Sequence, residues 1–143
     1  MKVAIQKLDE RAVIPTYGSE FSAGADLYAI EDTVIASGET VLVHTGLAME
    51  IPQGYGGFIY ARSGLASKKG LAPANKVGVI DADYRGEIMV ALYNHSAENR
   101  TVAAGERIAQ LVIAPFLKAE FEVTEHLSDT QRGSGGFGST GTK

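Results

Sequence analysis

Arg62-Ser63-Gly64 sets a planar guanidinium, a hydroxyl and an unhindered backbone amide at consecutive positions. Where a strand gives way to a helix, free N–H groups converge with such side chains on one anion. The segment therefore reads either as a phosphate cradle or as an ordinary capped helix with a surface arginine. Gly78 to Glu87 gathers Asp81, Asp83, the phenol of Tyr84 and the guanidinium of Arg85 at the end of an apolar run. Open backbone groups at a hairpin can bind the polar edge of a flat base, Tyr84 can supply a surface for sugar or base, and Asp81 can orient water. The same residues also suit a charged surface turn with an internal Asp–Arg pair. Asp26 in Ala23-Gly24-Ala25-Asp26-Leu27 and Gln110 in the run Gly105 to Leu111 are, singly, a turn acid and a solvent-facing amide. Only joint placement around an anion would make them functional, and spacing does not establish it.

The last grouping lies between Arg132 and Gly141, where five of ten residues are glycine. So many glycines carry too much backbone entropy for the segment to order alone, which suits a linker. Arg132 and Phe137 argue against a passive linker. A flap closing over a nucleotide uses a guanidinium on phosphate, a ring on the base and glycine amides between them, and that reading is preferred.

Composition narrows the chemistry. The chain has 143 residues, no cysteine and three histidines, His44, His95 and His126, without metal-ligand spacing. Disulfides, thiolate nucleophiles and cysteine-bound zinc are excluded, so any metal is expected on oxygen. A net charge of −4 argues against nucleic acid or a membrane surface as partner, because both need a broad basic field. The sequence holds no Gly-Lys-Ser/Thr phosphate loop, dinucleotide fingerprint or Gly-x-Ser-x-Gly elbow. Its first residues show neither a signal peptide nor a membrane span, so a soluble cytoplasmic protein is expected.

The elements that must position these groups are short strands. Approximate two-residue alternation at Lys2–Leu8, and clearer apolar or β-branched runs at Thr40–Thr45, Leu47–Ile51, Gly57–Arg62, Val77–Ile80, Glu87–Asn94 and Arg107–Ala114, predict sheet. The polar stretch between Val77–Ile80 and Glu87–Asn94 has the residue types of a hairpin tip. Only Ser63–Gly70 reads as helical, with Ser63 as N-cap and Gly70 as stop. One all-β sandwich, jelly roll or barrel with a single short helix follows. Residues 1–127 are expected to form the β domain with the nucleotide site, and 128–143 a flexible glycine-rich tail that closes over it.

Taken in order, the groupings resemble the five motifs of the trimeric dUTPase family, and together they span nearly the whole chain. They are Ala23–Leu27, Arg62 to Ala66, Gly78–Gly86, Gly105–Leu111 and Arg132–Gly141. One departure is Ala61, where the family often has proline, a change that affects local rigidity and removes no ligand group. The resemblance implies a jelly-roll-like homotrimer with active sites shared among the three chains. It implies hydrolysis of dUTP to dUMP and pyrophosphate, which keeps uracil out of DNA and supplies dUMP for thymidylate synthesis.

By the same resemblance, Asp81 is the base that activates the water attacking the α-phosphorus, and Tyr84 packs beneath the deoxyribose. Asn75 and the backbone around Gly78, Val79, Ile80 and Met89 read the uracil edge, which should reject cytosine by roughly 10⁴-fold. Arg62, Ser63, Gly64 and Gln110 hold phosphate oxygens. Arg132, Ser139 and Thr140 engage the terminal phosphate, while Phe137 stacks on uracil beside Gly138. Mg²⁺ is carried by the triphosphate and waters, with Asp26 assisting through the outer shell. The alternatives are a dCTP deaminase of the same superfamily, distinguished by ammonia release, and a nucleotide-binding regulatory trimer without turnover.

Overall fold

The structure, a computed structural model, describes residues 1–137. Alternation shapes its longer strands. Along Met89–Asn94, Val90, Leu92 and Asn94 are buried while their neighbours are half-buried, as a two-residue period requires. Arg107–Pro115 departs from that period, since Ile108 and Ala109 are both buried. A register shift between Arg107 and Ala109 accommodates the extra inward residue.

Twelve strands form in chain order: β1 (Ala4–Lys7), β2 (Thr16–Tyr17), β3 (Ala25–Tyr28), β4 (Thr33–Ile35), β5 (Thr40–His44), β6 (Leu47–Glu50), β7 (Tyr55–Tyr60), β8 (Leu71–Pro73), β9 (Gly78–Ile80), β10 (Met89–Asn94), β11 (Arg100–Val102) and β12 (Arg107–Pro115). A five-stranded antiparallel sheet has the order β2-β3-β12-β7-β9, and a three-stranded sheet has the order β5-β10-β8. Two ribbons, β1-β6 and β11-β4, complete the architecture. Leu27, Ile59, Ile108 and Leu111 of the larger sheet share one apolar core with Val43, Leu71, Val90 and Leu92 of the smaller. The expected all-β class with one short helix is what forms. Asn94 fastens the end of β10: its amide donates to the Ile35 and Glu98 carbonyls at 2.9 and 2.8 Å and accepts from Ser96. A fully buried amide tolerates burial only with such complete pairing.

Two local expectations are corrected. The polar stretch after Ile80 is not a hairpin tip, because β9 pairs with β7 while β10 pairs with β5 and β8. It is a crossover between sheets. Arg85 pairs with no aspartate there; its guanidinium donates to the Ala82 and Tyr84 carbonyls. Nor does Ser63 cap the helix. The helical turn Leu65–Lys69 is a π-turn closed by the Gly70 N–H on the Leu65 carbonyl, and no side chain caps its start. Gly70 ends it in the left-handed region at φ 69°, as expected.

No strand or helix follows Pro115 among the described residues. Phe116–Leu127 runs exposed, with Leu117, Phe121 and Val123 at 97, 94 and 100% exposure. No described helix is long and apolar enough to cross a membrane.

Candidate functional site

β9 is the edge strand of the larger sheet, so one row of its backbone groups has no strand partner. Beyond that edge the crossover leads to β10, leaving a cavity of about 250 Å³ between the sheets. Asn75, Gly78, Val79, Ile80, Asp81, Tyr84 and Met89 all line it. Unpaired strand groups beside an apolar wall suit the donor–acceptor rim of a flat heterocycle.

The turn leading into β9 aims Asn75. Lys76 sits at φ 64°, its N–H donates to the Pro73 carbonyl at 3.0 Å, and the Val77 N–H donates to the Asn75 carbonyl at 2.7 Å. A Cβ on Gly78 would stand 3.3 Å from Asn75 Nδ2 and 3.3 Å from Ile59 Cβ, so glycine is what lets the amide lie over the strand. Asp81, just past the strand end, is exposed, and its carboxylate accepts no hydrogen bond among the described residues. It is free to take one from water. Tyr84 lies across Gly86, where any Cβ would collide with its ring, and its hydroxyl donates to the Glu87 carbonyl at 2.9 Å.

A second polar group forms on the same sheet. Gln110 of β12 stands opposite Asp26 of β3 on one side and Tyr60 of β7 on the other. Gly24 makes room for it, since a Cβ there would meet Gln110 Cβ at 3.0 Å. Asp26 is a buried strand residue rather than a turn acid. Arg62 Nε donates to its Oδ1 at 3.0 Å, and Arg107 Nη1 donates to its Oδ2 at 3.2 Å. Arg62 Nη1 also reaches the Arg107 carbonyl at 3.3 Å. Ser63 and Gly64 follow Arg62, with the Ser63 carbonyl accepting from Ser67 Oγ at 2.7 Å. At the far end of the turn, Lys69 Nζ meets Glu106 Oε1 at 2.5 Å. Burial pushes the Glu106 carboxyl up, but the Lys69 and Ala103 hydrogen bonds and the nearby charges of Lys69 and Arg62 outweigh it, leaving the pKa below the ordinary carboxylate value. Three cations against two carboxylates make this end of the sheet attractive to an anion.

The two groups do not meet within one chain. Gly57 of β7 pairs with Ile80, so Asp81 lies beside the start of β7, while Arg62 follows its end. From Gly56 to Arg62 is six residue steps, the first four within β7, roughly 20 Å at about 3.4 Å per residue. Arg132 and Phe137 line neither group. Arg132 Nε donates to the Gly135 carbonyl at 2.7 Å, and Phe137 is fully exposed. Gly138, Ser139 and Thr140 lie outside the described residues.

Sequence reasoning passed over Arg107 and Glu87, although both stand inside segments it singled out. The signal was a charged residue beside a glycine or strand end; both were overlooked beside Gln110, Asp81 and Tyr84. Among the described residues no three His, Asp or Glu side chains gather to hold a metal. Asp26, with both oxygens already engaged by arginines, fits a water-mediated contact with an ion carried by a ligand's phosphates better than direct ligation.

A family model described as dUTPase matches residues 10–141. The deoxyuridine 5'-triphosphate nucleotidohydrolase of Nautilia profundicola is 55% identical over 99% of this chain and 99% of its own length. That of a Hydrogenobaculum species is 50% identical over the full length of both. Among solved structures, a mutant dUTPase of Staphylococcus bacteriophage 80alpha with dUpNHpp superposes with a TM-score of 0.92 at 28% identity, covering 99% of both chains. A mutant dUTPase from phage phi11 of S. aureus, described with a structural Mg(II) ion, superposes with a TM-score of 0.81 at 26% identity over 88% of this chain and 98% of its own.

Proposed function

The chain belongs to the dUTPase family, and we propose that it splits dUTP into dUMP and pyrophosphate at a site to which more than one copy contributes. The separation along β7 carries this reading. A general base must come within about 2.6–3.2 Å of the water it activates, and the phosphate-holding groups must grip the same short triphosphate. Asp81 and Arg62 of one chain, roughly 20 Å apart, cannot do both. A neighbour's Arg62 group brought over the uridine cavity meets the requirement.

In the assembled site, the open edge of β9 and the Asn75 amide take the uracil rim, and Tyr84 supports the deoxyribose. Arg62, Ser63, Gly64 and Gln110 from the next chain hold phosphate oxygens. Asp81 accepts a proton from water as its oxygen bonds to the α-phosphorus. The bond from that phosphorus to the bridging oxygen breaks, and pyrophosphate leaves with the electron pair. Mg²⁺ carried by the triphosphate supplies charge neutralisation. Asp26 keeps Arg62 in place and would meet that ion through water.

A closed ring of three copies suits the head-to-tail relation, because each chain offers one surface and receives another. The exposed arm is the connector. Leu117, Ala119, Phe121 and Val123 alternate with polar residues, the pattern of a half-buried strand, and among the described residues of one chain they are exposed. Residues 128–143 then close over the neighbour's cavity, Arg132 with Ser139 and Thr140 on the terminal phosphate and Phe137 with Gly138 on the base.

Pyrophosphate release from dUTP, dCTP, dTTP and UTP, with Mg²⁺ and with chelator, tests this. Magnesium-dependent release from dUTP alone, lost in Asp81→Asn with nucleotide binding retained, is expected. Full turnover in Asp81→Asn would remove Asp81 from the mechanism.

A further inference from the structure

Tyr84 is half exposed, and its side chain makes one hydrogen bond among the described residues, from its hydroxyl to the Glu87 carbonyl. The seat of that ring is therefore as rigid as the backbone at Glu87. That backbone is fastened from behind. Glu87 Oε1 accepts the Gly46 N–H at 2.8 Å, and Oε2 lies 2.9 Å from His44 Nδ1. The next residue continues the attachment: the Ile88 N–H donates to the Leu47 carbonyl at 2.7 Å, and buried Thr45 Oγ1 donates to the Ile88 carbonyl at 2.5 Å.

The turn at the other end is itself closely packed. Gly46 has φ 66°, and its Cα lies so close to Asp9, Ala12 and Ile30 that a Cβ would stand 3.0 Å from the first two and 3.3 Å from the third. Glu87 thus forms the wall between the uridine cavity and a cleft on the far side lined by Asp9, Arg11, Glu31 and His44. The carboxylate reaches toward that cleft while the carbonyl holds the tyrosine.

We propose that Glu87 is a positioning residue for sugar selectivity: by tying its own backbone to the His44–Gly46 turn, it fixes the carbonyl on which Tyr84 is seated. Tyr84 excludes a 2′-hydroxyl only if its ring cannot retreat, so the selectivity of the site is set partly from the side that nucleotide never touches. This rests on the reading of Tyr84 as the deoxyribose support.

The test measures kcat/KM for dUTP and UTP. Glu87→Ala should lower the dUTP:UTP ratio about tenfold, with the dUTP loss falling on KM more than kcat, whereas Glu87→Gln should stay within about twofold because its amide can still accept from Gly46 and face His44. Tyr84→Phe should reproduce the alanine effect, and Glu87→Ala with Tyr84→Phe together should lose no more than either alone. If Glu87→Ala does not fold, Glu87→Asp, too short to span both partners, replaces it. An unchanged ratio in the folded Glu87 variant, or losses that simply add to those of Tyr84→Phe, overturns the proposal. If Tyr84→Ala itself leaves the ratio unchanged, the sugar-support reading fails instead, and the two failures are told apart.

Discussion

A site divided between chains makes a quantitative statement about mixtures of crippled copies. Asp81→Asn removes the base but keeps the phosphate-holding group; Arg62→Gln damages that group but keeps the base. The glutamine amide can still donate to Asp26, which also keeps Arg107 at 3.2 Å, so the fold should lose only about 1–2 kcal/mol. Each variant alone should fall by about 10²-fold or more, the usual loss when one charge-stabilising group is removed. When equal amounts are unfolded and refolded together, a site needs Asp81 from one chain and Arg62 from its neighbour. Each is intact with a chance of one half, so about a quarter of the sites regain both. That fraction does not depend on ring size, so light scattering must supply the number of copies separately. Pyrophosphate release from the co-refolded mixture, compared with each variant refolded alone, reads the outcome. Recovery below about 1% of the unsubstituted enzyme would mean that base and arginine act within one chain, and the geometric argument from β7 would be wrong.

Asp26→Asn removes the opposing charge from two guanidiniums and leaves one of them facing an amide N–H; with Arg107 half exposed, urea denaturation should show a loss of about 2–3 kcal/mol even without Mg²⁺, and an unchanged midpoint would contradict the pairing. Gly78→Ala should raise KM for dUTP about tenfold with kcat nearly kept, since the new methyl displaces the Asn75 amide 3.3 Å away; steady-state kinetics decide it. The Glu106 carboxyl titrates below its ordinary value of 4.5 in the fold, so its stabilisation is complete above that value and is lost as pH falls through the depressed one. Denaturation midpoints of the unsubstituted chain and Glu106→Gln should therefore differ at neutral pH and converge in acid. Truncation after Leu127 should lower kcat about 10²-fold while leaving thermal stability unchanged, and an unaltered rate would make the tail a linker.

Strands were legible where the period of two had room to show. β5, β10 and β12 declare themselves through alternating or β-branched residues, and Gly70 marks the end of the helical turn. β2, β4, β8 and β11 span two or three residues each, too short for any period, and their existence depends on what lies beside them. Asp26 misled for a related reason: an acid after glycine suggests a turn, yet two arginines distant in sequence make a buried strand position tolerable. The residues that line the cavity beside β9 could be named from their types and from the family they resemble. Their distance from Arg62 could not, because it follows from β7 running antiparallel to β9, which spacing does not encode. Glu87 stayed hidden because its partners belong to a turn some forty residues earlier.

The exposed arm has a further consequence for the life of each chain. Phe116–Leu127 offers backbone outside any strand or helix with solvated apolar side chains, a form that a protease cleft can accept as substrate and that unintended partners can pair with. In the proposed ring, a copy without neighbours would leave this stretch open to cleavage, and a copy that hands its arm over would hide it, so protease sensitivity here would report assembly.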